Sequence, residues 1–532
     1  MTMIHNPVLK GFNPDPSMLR VGDDYYIATS TFEWAPGVQI HHSRDLVNWR
    51  LLTHPLTRPS QLDLIGVPNS GGVWAPCLSH DGEKFYLIYS NVKSMTGVYK
   101  DTPNYLVTAA SIEGPWSEPV YLNSSGFDPS LFHDEDGRKW LLNMVWDHRK
   151  GKNRFHGIHL QEYSVAEEKL VGTAKLIFTG TELGCTEGPH VYKKGGYYYL
   201  MLAEGGTGYS HAVTVARSAK LDGPYEVDPV NPILTSKGKP ELALQKAGHG
   251  SLIETQTGEW FLAHLCARPL NEAGECSLGR ETALQRCSWT EDGWLRVADP
   301  AMSPQTAVQP PDLPPHVFAA EEACDPFESE RLSVHLSTLR DYPDGSWLSL
   351  TERPGWLRLQ GRESLNSLHR QSLAARRLES FHASFETCME FQPEHFQQMA
   401  GLVAYYNTES NYYLHMTADE EKGTVLQLSS TVQGRYDECL QEPLALNGIT
   451  RLGLKVVFDG PGLQFYYSLD GEEWQSIGPK LDAGRLSDEA ATIGENGYFR
   501  SWGFTGTFVG LCVQDLSGGR RHADFDYFSV QQ

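Results

Sequence analysis

TEGPHVYKKGGYYYLMLAE, residues 186–204, joins a short anchor to an apolar strand, a Lys-Lys-Gly-Gly turn and an aromatic-rich strand. The same shape recurs as NPDPSMLRVGDDYYIATS (13–30), WAPCLSHDGEKFYLIYS (74–90), FDPSLFHDEDGRKWLLNM (127–144) and GHGSLIETQTGEWFLAHL (248–265). Taking Asp15, Ala75, Asp128, Glu187 and His249 as equivalent anchors, the steps are 60, 53, 59 and 62 residues. The aromatic that opens the second strand (Tyr25, Phe85, Trp140, Tyr197, Trp260) follows its anchor by 10, 10, 12, 10 and 11 residues. A near-constant offset inside a near-constant period marks an internal repeat.

Each copy reads as a β-hairpin, because VGDD, HDGEK, HDEDGRK, KKGG and TQTGE supply the Gly and Asp that tight turns need. HHSRDLVNWRLL (41–52), AASIEGPWSEPV (109–120) and ARSAKLDGPYEV (216–227) echo one another as further, outer strands. Four short strands per unit, repeated five times, predict a five-bladed β-propeller over residues 1–305. A β-helix needs a much shorter period. PAMSPQTAVQPPDLPP (300–315) is a poor strand or helix former, and a Pro-rich linker is expected over 306–323. Beyond it, GLVAYYN, NYYLHM, LKVVFDG and the Asp-Gly hairpin LQFYYSLDGEEWQSIG predict a β-sandwich, of jelly-roll or concanavalin-like form, over 324–532. The fold class is therefore all-β.

Composition narrows the function. With 44 Lys and Arg against 66 Asp and Glu, the formal charge is −22, which repels nucleic acid and disfavours a polyanionic substrate. The nine cysteines are scattered, at 77, 185, 266, 276, 287, 324, 388, 439 and 512, with no CxxC pair, as suits a reducing compartment. MTMIHNPVLKGFNPDPS carries no apolar signal core, and no run approaches the length of a membrane span. A soluble, cytoplasmic protein is expected, with no membrane partner. GxGxxG, Walker, HExxH and GxSxG motifs are absent, and His41-His42 reads as a surface pair.

In a propeller the innermost strands line the central axis, so the anchors converge. Three of them are acids: Asp15, Asp128 and Glu187. One such acid alone reads most simply as a turn cap; three in register do not. Crowded carboxylates cannot all ionise, so one holds a proton beside another that does not, which is the pairing acetal cleavage needs. Three acids with His249 also allow a Ca²⁺ site, although closely spaced oxygen ligands are missing from the loops. Trp74 and Phe127 beside the anchors, with Phe32 and Trp146 after inner hairpins, offer apolar faces to sugar rings. Arg280 in LGRETALQ offers a fixed fork of donors, unless it pairs with Glu281.

At NPDPS, FDPSLF and TEGPH the chain resembles family 43 glycoside hydrolases. GVWAP (72–76), GHGS (248–251) and LGRETALQ (278–285) strengthen the match, and SWGFTGTFVGLCVQD (501–515) resembles the end of the family's β-xylosidase branch. The resemblance implies an inverting, exo-acting β-1,4-xylosidase that releases xylose from short xylo-oligosaccharides. Asp15 would be the general base, Glu187 the general acid, and Asp128 the group that tunes and orients the acid. It further implies that Arg280 (or, as the alternative, Arg286) contacts substrate hydroxyls. Phe504 of the sandwich would close one side of a pocket lined by Trp74, Phe127, Phe32 and His249. Some relatives hold Ca²⁺ near the axis; this branch is expected to need neither metal nor cofactor. A homo-oligomer, as a tetramer, is also implied. Two alternatives stay open: an α-L-arabinofuranosidase or dual-activity enzyme, and a sugar-binding propeller without catalysis.

Overall fold

The turn chemistry of the repeats sets the blades. In the fourth copy Lys194 pairs with Tyr197 across Gly195 and Gly196, both at positive φ (58° and 83°), the double left-handed turn that matches strand twist. In the first, Val21 pairs with Asp24 across Gly22 (φ 63°). The computed structural model describes residues 3–495 and 498–532.

Five antiparallel sheets form the propeller, each with four strands in sequential order; the fourth gains a fifth, Leu234–Thr235, which pairs with Ala212 and Val213. Blade I contains Ser17–Val21, Asp24–Thr29, Gln39–Ser43 and Arg50–Thr53. Blades II to V begin with Gly72–His80, Ser130–His133, Glu187–Lys194 and Gln245–Glu254. The second strand of each blade is covered on both faces, which explains apolar runs such as Phe85–Val92, buried throughout. The echoing segments do form outer strands: Asn104–Ala109 with Val120–Asn123, and Ala212–Ser218 with Glu226–Val227. The N-terminal arm closes the ring. Ile4–His5 pairs with Ala307–Val308, Leu9 bridges to Thr282 of blade V, and the Asn13 amide donates to the Arg280 carbonyl.

Backbone geometry corrects one detail of the repeat. Asp15, Ala75, Asp128 and His249 all hold left-handed φ, at 56°, 37°, 54° and 45°. In blade IV that conformation falls on Gly188 (φ 57°), and the first regular strand pair follows two residues later, as in blades I to III. The true equivalent is Gly188, and the last two steps become 188 − 128 = 60 and 249 − 188 = 61. Glu187 therefore shares its position with Trp74 and Phe127, one residue ahead of the kink.

Beyond the propeller lies a β-sandwich of one eight-stranded and one nine-stranded sheet, with Trp347, Phe385, Leu402, Leu454, Leu511 and Phe525 among its buried core. The predicted hairpin is present: Gly462–Ser468 pairs with Gln475–Asp482 across Asp470-Gly471. One strand of the nine comes from the other end of the chain. Trp34–Ala35, between the second and third strands of blade I, pairs with Thr338 and Leu339. Trp34 stacks on Phe508 (centroids 3.8 Å apart), and Phe12, Phe32 and Trp34 pack with Leu339, Val403, Tyr405 and Phe508. The Pro-rich stretch is pinned too, since the His316 amide donates to Asp45.

His41 and His42 are not a surface pair. Both are buried in the third strand of blade I, where alternate side chains enter the packing between sheets. Burial pushes His41 down to about 3, and His42 stacks on Tyr26 and pairs with Asp24 at 2.8 Å. All nine cysteines are free thiols. Among the described residues no helix is long and apolar enough to cross a membrane.

Candidate active site

The left-handed kinks turn the start of each inner strand toward the axis and gather the anchors around one cavity of about 260 Å³. That is slightly below the usual small-molecule range of roughly 300–1,000 Å³. Its lining includes Asp15, Asp128, Glu187, Phe32, Trp74, Phe127, His249, Arg280 and Phe504, every site residue expected from the sequence, together with Trp146. A larger groove of about 690 Å³ runs between the N-terminal arm, blade I and the sandwich, but it holds none of the axial acids.

Asp15 is buried and held at both oxygens. Ser30 Oγ donates to Oδ2 at 2.7 Å, and Arg280 Nη1 donates to Oδ1 at 3.3 Å. His249 Nδ1 stands 3.6 Å from Oδ1. Ser30 also accepts from the Ala75 amide at 2.8 Å, tying blade I to blade II at the axis. Arg280 also donates from Nη1 to Thr207 Oγ1 (2.8 Å) and from Nη2 to the Phe504 carbonyl (3.0 Å), while its buried Nε has no hydrogen-bond partner among the described residues. Glu281, its suspected partner, is taken by Arg268 at 2.7 Å. Arg286 pairs instead with Glu259 at 2.7 Å and is absent from the cavity lining.

Asp128 accepts from the Gly188 amide at 3.0 Å, which sets blade III against the residue after Glu187. Burial, reinforced by the Asp15 charge, pushes Asp128 up to about 6, while His249, the Gly188 amide and Arg280 oppose the rise. Glu187 is pushed well above the usual carboxylate range, first by burial and then by the charges of Asp128 and Asp15; Arg280 and Lys100 pull the other way. Glu204, fully buried, braces the preceding residue. It accepts from Thr186 Oγ1 (2.7 Å), Thr214 Oγ1 (2.9 Å) and both the amide and hydroxyl of Thr181.

Aromatic rings box the acids. Trp74 meets Phe127 edge-on at 5.3 Å and Phe504 at 5.9 Å, and the Arg280 guanidinium lies 5.4 Å from Phe32 and 5.3 Å from Phe504. Such apolar faces suit the C–H faces of a sugar, and the acids and guanidinium suit its hydroxyls.

Several lining residues escape sequence reasoning. Lys100 lies 4.5 Å above Trp146 and donates to the Met95 carbonyl at 2.6 Å; burial lowers it to about 8 against the pull of Glu187. Lys100 and Met95 come from an irregular loop outside the repeat. Thr207, Phe155, Cys185 and His211 have no motif to flag them. Trp502 had one available signal, its place beside Phe504 in SWGFTG. Among the described residues no group of three or more His, Cys, Asp or Glu is arranged to hold a metal ion.

Unequal buried carboxyls at the axis of a propeller, boxed by aromatics, define a glycoside hydrolase. Residues 4–295 match the glycosyl hydrolases family 43 model, and residues 324–531 match that of the beta xylosidase C-terminal Concanavalin A-like domain. The chain belongs to glycosyl hydrolase family 43. It is 51% identical to a xylan 1,3-beta-xylosidase of Vibrio sp, over 99% of both chains. It is 50% identical to xylosidase/arabinosidase 43B of Humicola insolens, over 99% of this chain and 97% of that one. The crystal structure of xylan beta-1,4-xylosidase from Bacillus halodurans C-125 superposes with a TM-score of 0.97 at 59% identity, covering 99% of this chain and 100% of that one.

Proposed function

We propose that this protein is an inverting, exo-acting β-1,4-xylosidase that releases xylose from the non-reducing end of short xylo-oligosaccharides. The observation that carries the mechanism is the inequality of the acids. Glu187, pushed furthest toward its protonated form, is the general acid that gives a proton to the leaving oxygen. Asp15, held by Ser30 and Arg280, is the general base that takes a proton from the attacking water. Asp128 acts through Glu187: its charge holds the acid's proton on, and its bond to Gly188 fixes the acid's backbone. Arg280 places a fixed positive charge beside Asp15, so no metal is assigned to the reaction. The names of the relatives at about half identity or more support xylose as the sugar.

Paired nitrophenyl β-D-xyloside and α-L-arabinofuranoside, with 1,3- and 1,4-linked xylobiose, in EDTA, test the reading. Hydrolysis of the xyloside and of 1,4-xylobiose, with α-xylose appearing first by NMR, is expected; no xyloside hydrolysis, or β-xylose first, would overturn it. Glu187→Gln should lower kcat on xylobiose by about 10²–10⁴-fold, with a smaller loss on a substrate whose leaving group needs no proton. The Humicola insolens relative, a xylosidase/arabinosidase, favours arabinofuranoside turnover as a second activity of the same pocket.

A further inference from the structure

Ser70 lines no part of the cavity, yet three structures meet at it. It sits in the propeller loop before blade II, 1% exposed, with φ at 61°. Its hydroxyl donates to the Trp502 carbonyl (2.9 Å) and accepts from the Phe504 amide (3.1 Å). Its carbonyl accepts from the Trp74 indole N–H (2.8 Å). Its own amide donates to the buried Glu33 carboxylate (3.1 Å). A serine hydroxyl is both donor and acceptor, so this one atom pins two backbone groups of the sandwich segment that reaches over the pocket. The left-handed backbone lets the hydroxyl face that segment while the carbonyl faces Trp74.

The rest of the segment is held as well. Phe504 O accepts from Arg280, the Gly503 amide donates to Thr492 Oγ1, and the Thr505 amide donates to Tyr406 Oη. Ser70 differs from these in touching the wall and the pocket indole at once. The loop beneath it is locked by the sandwich's Arg340, which donates to Val67 O (2.7 Å) and Asn69 Oδ1 (2.9 Å).

We infer that Ser70 is a positioning residue for sugar binding: it sets Phe504 and Trp74 as two fixed walls of the subsite beside Asp15. This rests on the proposed roles of Asp15 and Glu187, because the sugar bound next to the base is the one released. The walls touch that sugar alike before and at the transition state, so loosening them raises KM more than it lowers kcat.

The test is Ser70→Ala, with Ser70→Gly as a second variant that accepts the positive φ without strain. The readouts are kcat and KM on nitrophenyl xyloside, the pH profile, and D-xylose affinity from tryptophan fluorescence, which reads the pocket without turnover. Expected is a KM and a xylose Kd raised about tenfold in both variants, kcat within about threefold, and an unmoved alkaline limb. In a Phe504→Ala background, Ser70→Ala should change KM less than about twofold, because its means of action is already gone. A lowered Tm with unchanged KM and xylose affinity would make Ser70 merely structural and overturn the inference. So would an equal effect in both backgrounds. Absence of xyloside turnover in the unmutated enzyme, with xylose affinity still weakened by Ser70→Ala, would instead sink the catalytic reading and leave the clasp standing.

Discussion

Asp128 carries a charge that the fold pays for and the reaction uses. Its bond from the Gly188 amide survives as Asn, but its negative charge does not. Asp128→Asn should therefore ease the deprotonation of Glu187 and move the alkaline limb of kcat/KM to lower pH. The same change should stabilise the protein. Asp128 titrates higher folded (about 6) than a free carboxyl, so the folded chain binds more protons across that window, and stability falls as pH rises through it. The variant's Tm should exceed the parent's by roughly 2 °C or more at pH 8 and converge with it near pH 4, as calorimetry can check. Asp15 and Asp128 were legible in the sequence because they occupy one position of a repeat. Ser70 and Lys100 were not, since each comes from an irregular loop and acts on partners hundreds or tens of residues away: Ser70 on Phe504, Lys100 on Trp146 and Glu187.

At the level of strands and turns, the hairpin signals placed the blades, and spacing alone misplaced one anchor by a residue. Glu187 precedes its kink at Gly188, where Asp15 and Asp128 sit on theirs. Only φ distinguishes the two positions, and φ leaves no trace in spacing when both residues neighbour a Pro-containing strand start. The turn before Arg280 shows a second feature that spacing hides. Gly279 has φ at 73°, and a Cβ there would lie 2.0 Å from the Thr505 carbonyl; Gly258 has φ at 82° with nothing within 4 Å. Gly258→Ala should cost only the backbone strain, on the order of 1 kcal/mol. Gly279→Ala must also separate blade V from the segment bearing Phe504, at about 2 kcal/mol or more beyond that. Denaturant melts of the two variants measure the difference, and equal losses would mean the contact is not tight in solution.

Across the whole molecule, the two domains read from the sequence are less separable than a Pro-rich stretch between them suggests. The propeller supplies Phe12, Phe32 and Trp34 to a cluster with sandwich residues, and one short strand to a sandwich sheet. The sandwich supplies Trp502 and Phe504 to the catalytic cavity. No local pattern in residues 31–37 announces this, because a two-residue strand has no periodicity to read. The chain should consequently unfold in a single calorimetric transition rather than two. A fragment ending at residue 305 should be insoluble or inactive, and a soluble, fully active one would refute the coupling.

The strand Trp34–Ala35 also bears on how such a chain can be recombined. A chimaera cut at the obvious linker would pair one parent's sheet edge with the other parent's strand, and would leave Trp34 facing a foreign Phe508. The unit that can be inherited or exchanged intact is the full length, unless residues 31–37 travel with the sandwich they complete. For anyone grafting a new sandwich onto this propeller, that seven-residue insert is part of the graft.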